Sequence, residues 1–423
     1  MQLSEFIEYE ASERAERRRL ASEKSYEILD RLERVGEQFA TVADNNDFGS
    51  VSPSIFVGHS GYPNVSTGLL SPVGNEATAA QFATSGRWYD ERLEISDVFE
   101  RRTSLLNASQ STPVETPVHD AWEGFLGVQR EVAIADRPVG IELGLGGRPK
   151  LEVGLSPGDV STPTGPRAHA TDATLTENPH VPRPVKKTLE DDDWKATGAI
   201  NYLYNRGFDV YEINTILSAG ALGQRNNRRL VPTRWSITAV DDTVGQYLRG
   251  KLRDAPSVDS VSIWHNEYLG NSFWVICTPG GWEFELLEAK APGSVWNPDP
   301  EAGVWIASDH EGPSGRNEYV EQTAGAYYAA RLAVLEYLES IGRQAKVLVL
   351  RHVSDDYWGP VGVWQVREAV RHAFEGSHGT AETFDAALAD IRTVFPVSMN
   401  DLRRHSRLVA GRQSRLDSFS SLE

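Results

Sequence analysis

Cysteine is almost absent from this chain of 423 residues, which contains one, Cys277. A single cysteine excludes an internal disulfide framework and any metal site built from several thiolates. We therefore expect no structural zinc. Cys277 stands in the apolar segment 273–278, where a buried core position is the natural expectation.

Long apolar runs and lysine are also scarce. No apolar stretch approaches the length of a membrane-spanning helix, and the first residues lack the basic and apolar regions of a secretion signal. We therefore expect a cytoplasmic protein without a membrane partner. Lysine accounts for 8 of the 42 basic residues, and the net charge is -18. This composition is typical of halophilic, salt-adapted microbes, where dense carboxylates keep proteins hydrated.

The acidic excess limits how the chain meets nucleic acid. A net charge of -18 repels DNA phosphates from the average surface. Contact with DNA must therefore be local or delivered by a partner. A tether to a DNA-bound partner raises the local concentration of DNA without requiring ionic affinity.

Strands and helices are partly segregated along the chain, which favours an α+β fold with antiparallel sheet regions packed against helices. Apolar spacing predicts a long amphipathic helix over residues 3–40. Residues 51–75 predict a strand, a turn and a strand, and residues 139–155 a hairpin. Further helices are expected near 86–106 and 118–135. A loop over 156–187 places a domain seam near residue 187, dividing regions 1–187 and 188–400 from a flexible tail at 401–423.

The second region begins with a predicted helix that opens at Thr188 and closes at Gly207. A β-prone run covers residues 231–242, and three strands of an antiparallel meander are predicted between residues 258 and 289. The other predicted elements are helices near 209–219, 319–341, 363–375 and 380–392 and a strand at 345–351.

Charged residues beside or within β-prone runs form a candidate catalytic set. Carboxylates among apolar strand residues are costly unless they are paired or bind a metal. Glu288 and Lys290 share one strand face, as in nucleases where the acid binds Mg²⁺ or Mn²⁺ and the lysine positions water. A solvated strand face is the alternative. The candidate set comprises Arg234, Asp241, Asp242, His265, Glu285, Glu288, Lys290 and Arg316.

Three loops offer other binding chemistry. The loop at Gly58, His59, Ser60 and Gly61 offers backbone amides, hydroxyls and an imidazole that suit a phosphate or nucleotide. It lacks the lysine of a P-loop, and an ordinary turn is the alternative. Carboxylates and imidazole suggest a metal site; its candidate ligands are Asp309, His310 and Glu311. A polar loop is the alternative there. The basic segment 225–229 follows two short helices, so it suggests either a helix-turn-helix flank or an ordinary packed helix pair.

The polar segment 413–423 contains the pattern Gln-x-x-Leu-x-x-Phe, which is typical of peptides that dock on DNA sliding clamps. On a 3₁₀-like turn, Leu416 and Phe419 would eclipse and form an apolar plug, while Gln413 hydrogen-bonds at the pocket rim. The preceding basic stretch 403–413 has little to bury, so we expect it to be mobile. A frayed terminus with two incidental apolar residues is the alternative.

Together with this peptide, residues 56–65, 231–242 and 325–332 carry a resemblance to the archaeal Nre family, in its NreA branch, over almost the whole chain. The resemblance implies a DNA repair protein that acts on cross-linked DNA with the sliding clamp PCNA. It places the clamp motif on Gln413, Leu416 and Phe419. Many relatives also carry a four-cysteine zinc module, which this chain lacks.

Three functional hypotheses remain open from the sequence. The first is a clamp-bound repair protein that acts as a metal-dependent nuclease or phosphodiesterase. The second is a non-enzymatic scaffold that recruits other repair nucleases to the clamp. The third is a nucleotide-binding protein that uses residues 58–68.

Overall fold

The computed structural model describes residues 47–74, 76–119, 122–150, 164–297 and 299–411. The predicted helix at 3–40 and the clamp motif at Gln413, Leu416 and Phe419 lie outside these residues. Within them the chain forms two six-stranded sheets with helices packed against them, which confirms the α+β class. None of the helices described in these ranges is both long enough and apolar enough to cross a membrane.

The first sheet has the strand order β1-β5-β6-β4-β3-β2, and β4/β6 is its parallel pair. Strands β2 and β3 pair antiparallel, so the predicted strand, turn and strand are confirmed. The predicted hairpin at 139–155 is seen only in part, because residues 151–155 lie outside the described residues. Its first strand, β5, pairs with β1 and β6. The strands are β1 (Asp47–Ser52), β2 (Ser54–Val57), β3 (Asn64–Pro72), β4 (Leu105–Pro113), β5 (Val139–Leu145) and β6 (Arg167–Leu175).

A buried helix covers one face of this first sheet. Gln129 of this helix accepts a hydrogen bond from the Thr67 hydroxyl at 2.6 Å and donates one to the Gly68 carbonyl at 3.2 Å. These bonds satisfy polar groups that would otherwise be buried without a partner. The helices of this region are α1 (Arg87–Asp90), α2 (Ile95–Thr103), α3 (Thr116–His119) and α4 (Gly124–Ile134), and the buried one is α4.

Four helices connect the sheets: α5 (Arg183–Glu190), α6 (Ala196–Asn205), α7 (Val210–Ser218) and α8 (Thr233–Leu252). The prediction that Thr188 opens a helix is wrong, because Thr188 lies in the last turn of α5. Asp191 starts the following turn, where its side chain accepts the N–H groups of residues 193 and 194. Gly207 ends α6 at a φ of 86°, as predicted.

The prediction of a β-prone run at 231–242 is also wrong, because most of it forms the first half of α8. Buried side chains recur every four residues at Val240, Val244 and Leu248, which is the helical period. Pro232 precedes the first turn, where its missing N–H costs nothing. Packing of this apolar stripe therefore overrides the β preference of the individual residues.

The second sheet has the order β10-β9-β11-β8-β7-β12. The three strands predicted between residues 258 and 289 exist, but the meander is wrong, because β11 lies between β8 and β9. Strand β11 is apolar along most of its length, and a central position buries both of its faces. The strands are β7 (Val261–Tyr268), β8 (Asn271–Thr278), β9 (Glu283–Lys290), β10 (Trp305–Glu311), β11 (Lys346–Val353) and β12 (Ser377–Ala381).

Helices cover both faces of the second sheet and confirm the predicted helices of this region. One face packs against α8, α9 (Ala324–Ser340) and α10 (Trp364–Ala373). The opposite face packs against α11 (Phe384–Ile391) and α12 (Met399–His405). The two sheets fall on either side of residue 187.

Residues 401–411 are folded, so the prediction of a mobile tail beginning at 401 is wrong for this part. Leu402, Leu408 and Val409 are buried against the second sheet. The Glu285 carboxylate accepts the Ser406 hydroxyl at 2.7 Å and the backbone N–H groups of Arg407 and Leu408 at 2.8 and 2.9 Å. Glu285 therefore anchors the start of the helical segment 407–411 to β9.

Replacing Glu285 by alanine should release this segment, since three donors lose a charged acceptor. We expect Glu285→Ala to lower the free energy of unfolding by about 2–4 kcal/mol and to accelerate amide hydrogen exchange at residues 407–409. Exposed Glu382 supplies the control variant Glu382→Ala. Unchanged exchange at residues 407–409 in Glu285→Ala would show that the anchor is unimportant.

Candidate functional site

Two predicted catalytic residues, Asp241 and Asp242, are neighbours on α8 and face different helices. Asp241 binds the Arg367 guanidinium of α10 at 2.5 Å. Asp242 binds Arg331 of α9 at 2.5 Å. Burial raises the pKa of Asp241, and Arg367 opposes that rise. Because consecutive helical positions lie about 100° apart, the pair fastens α8 to two helices and does not converge on one site.

Arg331 continues this ion network into the second sheet. It is buried and binds the Glu311 carboxylate at 2.9 Å. The second oxygen of Glu311 accepts the Trp282 indole N–H at 2.8 Å. Glu311, a predicted metal ligand, is therefore engaged through both oxygens.

The other two predicted metal ligands also have separate partners. Asp309 accepts the backbone N–H groups of residues 321, 322 and 323 at 3.0, 2.9 and 2.8 Å, and the Thr323 hydroxyl at 2.8 Å. Burial alone would raise the pKa of Asp309, but these donors outweigh it and hold the pKa below its ordinary value. His310 places Nε2 3.0 Å from Glu283.

The three residues 309–311 therefore do not form one site. They lie on β10 and not on a loop, and successive strand residues point to opposite faces. Across the part of the chain that the structure describes, no group of three or more His, Cys, Asp and Glu side chains is arranged to hold a metal ion.

Glu288 and Lys290 share one face of β9, as predicted, and lie 3.2 Å apart. Glu288 also binds Arg351 of the neighbouring strand β11 at 2.5 Å. The Lys290 ammonium lies 4.2 Å from the centre of the Trp305 ring. Both oxygens of the buried Glu288 carboxylate already face cations, which favours a structural role over metal binding. The nuclease hypothesis stays a prediction.

The remaining catalytic candidates are dispersed. His265 packs on the Trp274 ring with centroids 4.9 Å apart, and burial lowers its pKa. Arg316 donates a hydrogen bond to the His310 carbonyl at 2.9 Å. Glu285 lies on the face of β9 that receives residues 406–408. These groups stabilise local structure at separate positions.

The first turn of α8, which carries Arg234, lies beside the predicted phosphate loop at residues 58–61. The loop joins β2 to β3 and packs against the first turn of α8, where the Val57 N–H donates to the Thr233 hydroxyl at 3.0 Å. The Tyr62 ring lies 5.3 Å from the Trp235 ring, measured between centroids. Both residues are about half exposed, at 53% and 46%. His59, Ser60 and Arg234 are exposed beside them.

Backbone contacts on both sides hold Tyr62 in place. Gly61 adopts a φ of 82° and accepts the Asn64 N–H at 2.9 Å, which closes a tight turn. The Pro63 carbonyl accepts the Val114 N–H at 2.9 Å. The Val114 carbonyl in turn accepts the N–H of Leu230, three residues before Thr233. Backbone hydrogen bonds therefore connect the loop to the residue after β4, and that residue to the segment before α8.

Arg229 of the predicted basic flank adjoins this seam, because its neighbour Leu230 donates to Val114. Arg229 binds Glu115 at 2.5 Å and remains partly exposed. Arg225, on a 3₁₀ turn at Arg225–Asn227, is largely exposed. The helix-turn-helix alternative is not favoured, because α7 presents Glu212 to solvent and buries its apolar face. We call Tyr62, Arg229, Arg234 and Trp235 the aromatic–arginine surface.

The two aromatic members of this surface are not among the site residues predicted from the sequence. The pattern predicts a turn around Tyr62 and a β-prone run around Trp235. A tyrosine between Gly61 and Pro63 in a polar turn was the available signal, because such a turn offers no core to bury the ring. Trp235 gave no comparable signal, since its exposure depends on the rotation of α8.

Comparisons with known proteins cover nearly the whole chain. The family description "Archaeal Nre, N-terminal" matches residues 20–297, and "Archaeal Nre, C-terminal" matches residues 311–419. A DNA repair protein NreA of Haloferax volcanii is 65% identical over 421 residues, covering 99% of this chain and 100% of the relative. NreA of Archaeoglobus fulgidus is 37% identical, covering 87% and 88%, and NreB of that organism is 34% identical, covering 80% and 83%. No solved structure matches significantly.

Two arginine–carboxylate pairs of equal length test whether Glu288 has a structural role. Glu288→Ala leaves Arg351 and Lys290 buried without their carboxylate and should lower the free energy of unfolding by about 3–5 kcal/mol. Glu91 binds Arg101 at the same 2.5 Å on the surface, so Glu91→Ala should cost about 0–1 kcal/mol. Denaturant titration measures both. Equal costs would contradict the structural role.

Proposed function

Because the chain belongs to the archaeal Nre family of DNA repair proteins, we propose that it acts in repair while bound to the sliding clamp PCNA. The clamp contact is made by Gln413, Leu416 and Phe419. Cross-linked DNA is the substrate class within this proposal. The folded body then meets DNA that the clamp already encircles.

The observation that carries the proposal is the extent of the family match. The C-terminal match runs through residue 419, so the docking peptide falls inside the region that family members share. A chance pattern in an unrelated appendage would have no reason to fall there. This supports reading the peptide as a working part of the protein.

The attachment of the peptide to the body also supports clamp binding. The helical segment 407–411, anchored by Glu285, ends two residues before Gln413. Two residues span at most about 7 Å. A clamp that holds the peptide therefore keeps the second sheet and its helices close to the ring, which raises the effective concentration of body and DNA.

Within this proposal the body is a scaffold or DNA-positioning unit, and other enzymes cut the DNA. The contacts of Asp241, Asp242, Glu288 and Glu311 favour this version, because each carboxylate is already paired with a buried arginine. A nuclease that uses Mg²⁺ or Mn²⁺ is the competing version. Incubating the purified protein with either metal on branched and cross-linked DNA separates them, because a scaffold gives no metal-dependent cleavage.

Removing the two apolar anchors tests the clamp contact directly. Leu416→Ala and Phe419→Ala should each weaken binding to the cognate clamp by about 2 kcal/mol or more, since central apolar anchors dominate such interfaces. Isothermal titration calorimetry of the full chain measures the affinity, and the melting temperature should stay unchanged. Ser420→Ala, outside the motif, is the matched control. Undiminished binding by the double variant would refute the proposal.

A further inference from the structure

Two neighbouring aromatic rings are exposed on a protein whose average surface is strongly acidic. Tyr62 and Trp235 come from different elements, the β2–β3 loop and α8, yet their centroids are 5.3 Å apart. An exposed pair of large rings forfeits the burial that normally rewards aromatic residues. Their exposure therefore calls for a ligand that uses the ring faces.

The rings are held before any ligand arrives. The tight turn at Gly61, the Pro63–Val114 hydrogen bond and the Val57–Thr233 hydrogen bond fix the loop against α8. A rigid aromatic platform loses little conformational entropy on binding.

An exposed arginine adjoins the rings. Arg234 is the direct chain neighbour of Trp235 and is exposed, and no ion pair or hydrogen bond of its side chain occurs within the described ranges. Arg229 lies along the same seam and pairs with the exposed Glu115. Positive charge beside aromatic faces matches a polyanion that carries flat rings, which is the chemistry of a nucleic acid strand.

We infer that the aromatic–arginine surface binds single-stranded DNA, with bases stacked on Tyr62 and Trp235 and backbone phosphates contacting Arg234 and Arg229. The inference rests on the proposed repair function, which supplies DNA in place of RNA. It names the strand state that the body recognises, which neither the family nor the clamp peptide specifies.

Single-stranded DNA fits better than duplex DNA for two reasons. Stacking needs bases whose faces are accessible, and duplex bases are covered by their neighbours. The net charge of -18 also opposes the extended phosphate contacts on which duplex binding depends. Stacking is less sensitive to salt than ionic contacts are, so it would persist in the salty cytoplasm that the composition suggests.

The test measures binding of a fluorescein-labelled oligothymidylate to the full chain by fluorescence anisotropy, without clamp. Tyr62→Ala and Trp235→Ala should each weaken binding by about 5- to 150-fold, since a stacked base contributes about 1–3 kcal/mol. Tyr62→Phe and Trp235→Phe should retain most of the affinity. Tyr319→Ala is the matched control, because Tyr319 is equally exposed and also packs on a second ring, that of Tyr328.

The salt dependence of oligonucleotide affinity distinguishes the contribution of Arg234 from that of the two rings. Arg234→Ala should reduce the slope of log affinity against log salt by about 0.7, the value for one lost phosphate contact on a single strand. The two alanine variants of the rings should leave that slope unchanged.

The inference is overturned if Tyr62→Ala and Trp235→Ala bind the oligonucleotide as the parent chain does. It is also overturned if duplex DNA, or RNA in place of DNA, is the preferred ligand, or if the parent chain shows no binding at low salt. Clamp affinity of the same variants should be unchanged. Leu416→Ala should lose clamp binding and retain oligonucleotide binding. The two contacts are therefore tested independently, and either proposal can be refuted without the other.

Discussion

The position of α8 is the constraint on which the described structure depends. Its middle carries Asp241 and Asp242, which bind buried arginines on two different helices. Its first turn carries Thr233, which contacts Val57 at the end of β2 in the other sheet, and Trp235, which contacts Tyr62 of the β2–β3 loop. Buried ion pairs add little net stability. They strongly disfavour alternative positions of α8, since a shifted helix would leave the buried arginines and aspartates without partners. The same pairs that fix α8 among its neighbours therefore also fix the exposed aromatic rings at its start.

Individual helices and strands could be predicted from the sequence better than the pairing of strands within a sheet. The helix at 364–373 was predictable because its apolar side chains recur with the helical period. The helix at 324–340 is apolar nearly all round, and its length and its alanine and leucine content indicate a helix rather than a strand. The insertion of β11 between β8 and β9 was not predictable, because strand order depends on which strand needs burial on both faces. The α8 segment misled for a related reason, since residues such as Trp235 and Ile237 suit a strand locally and only packing selects the helix.

In the candidate site, too, the sequence indicates which residues need a partner but not which partner they have. Charge among apolar residues correctly indicated that Asp241, Glu288 and Glu311 have special partners, because isolated buried carboxylates are too costly. It did not say whether the partner is a metal ion or an arginine, since both satisfy a carboxylate. Arg331, Arg351 and Arg367 lie tens of residues away from their acids, and only the fold brings them together.

The proposed clamp peptide and the inferred single-strand platform would together direct the protein to places where duplex DNA opens beside the ring. Neither contact needs an extended basic surface, because the inferred platform uses two arginines beside its rings, and this reconciles a net charge of -18 with work on DNA. The most direct measurement compares the affinity of the full chain for clamp alone with that for clamp loaded on DNA that carries a single-stranded gap. The account predicts tighter binding to the gapped complex, and a return to the clamp-alone value in Tyr62→Ala/Trp235→Ala, because two linked contacts reinforce each other. Equal affinities of the parent chain for both targets would contradict it.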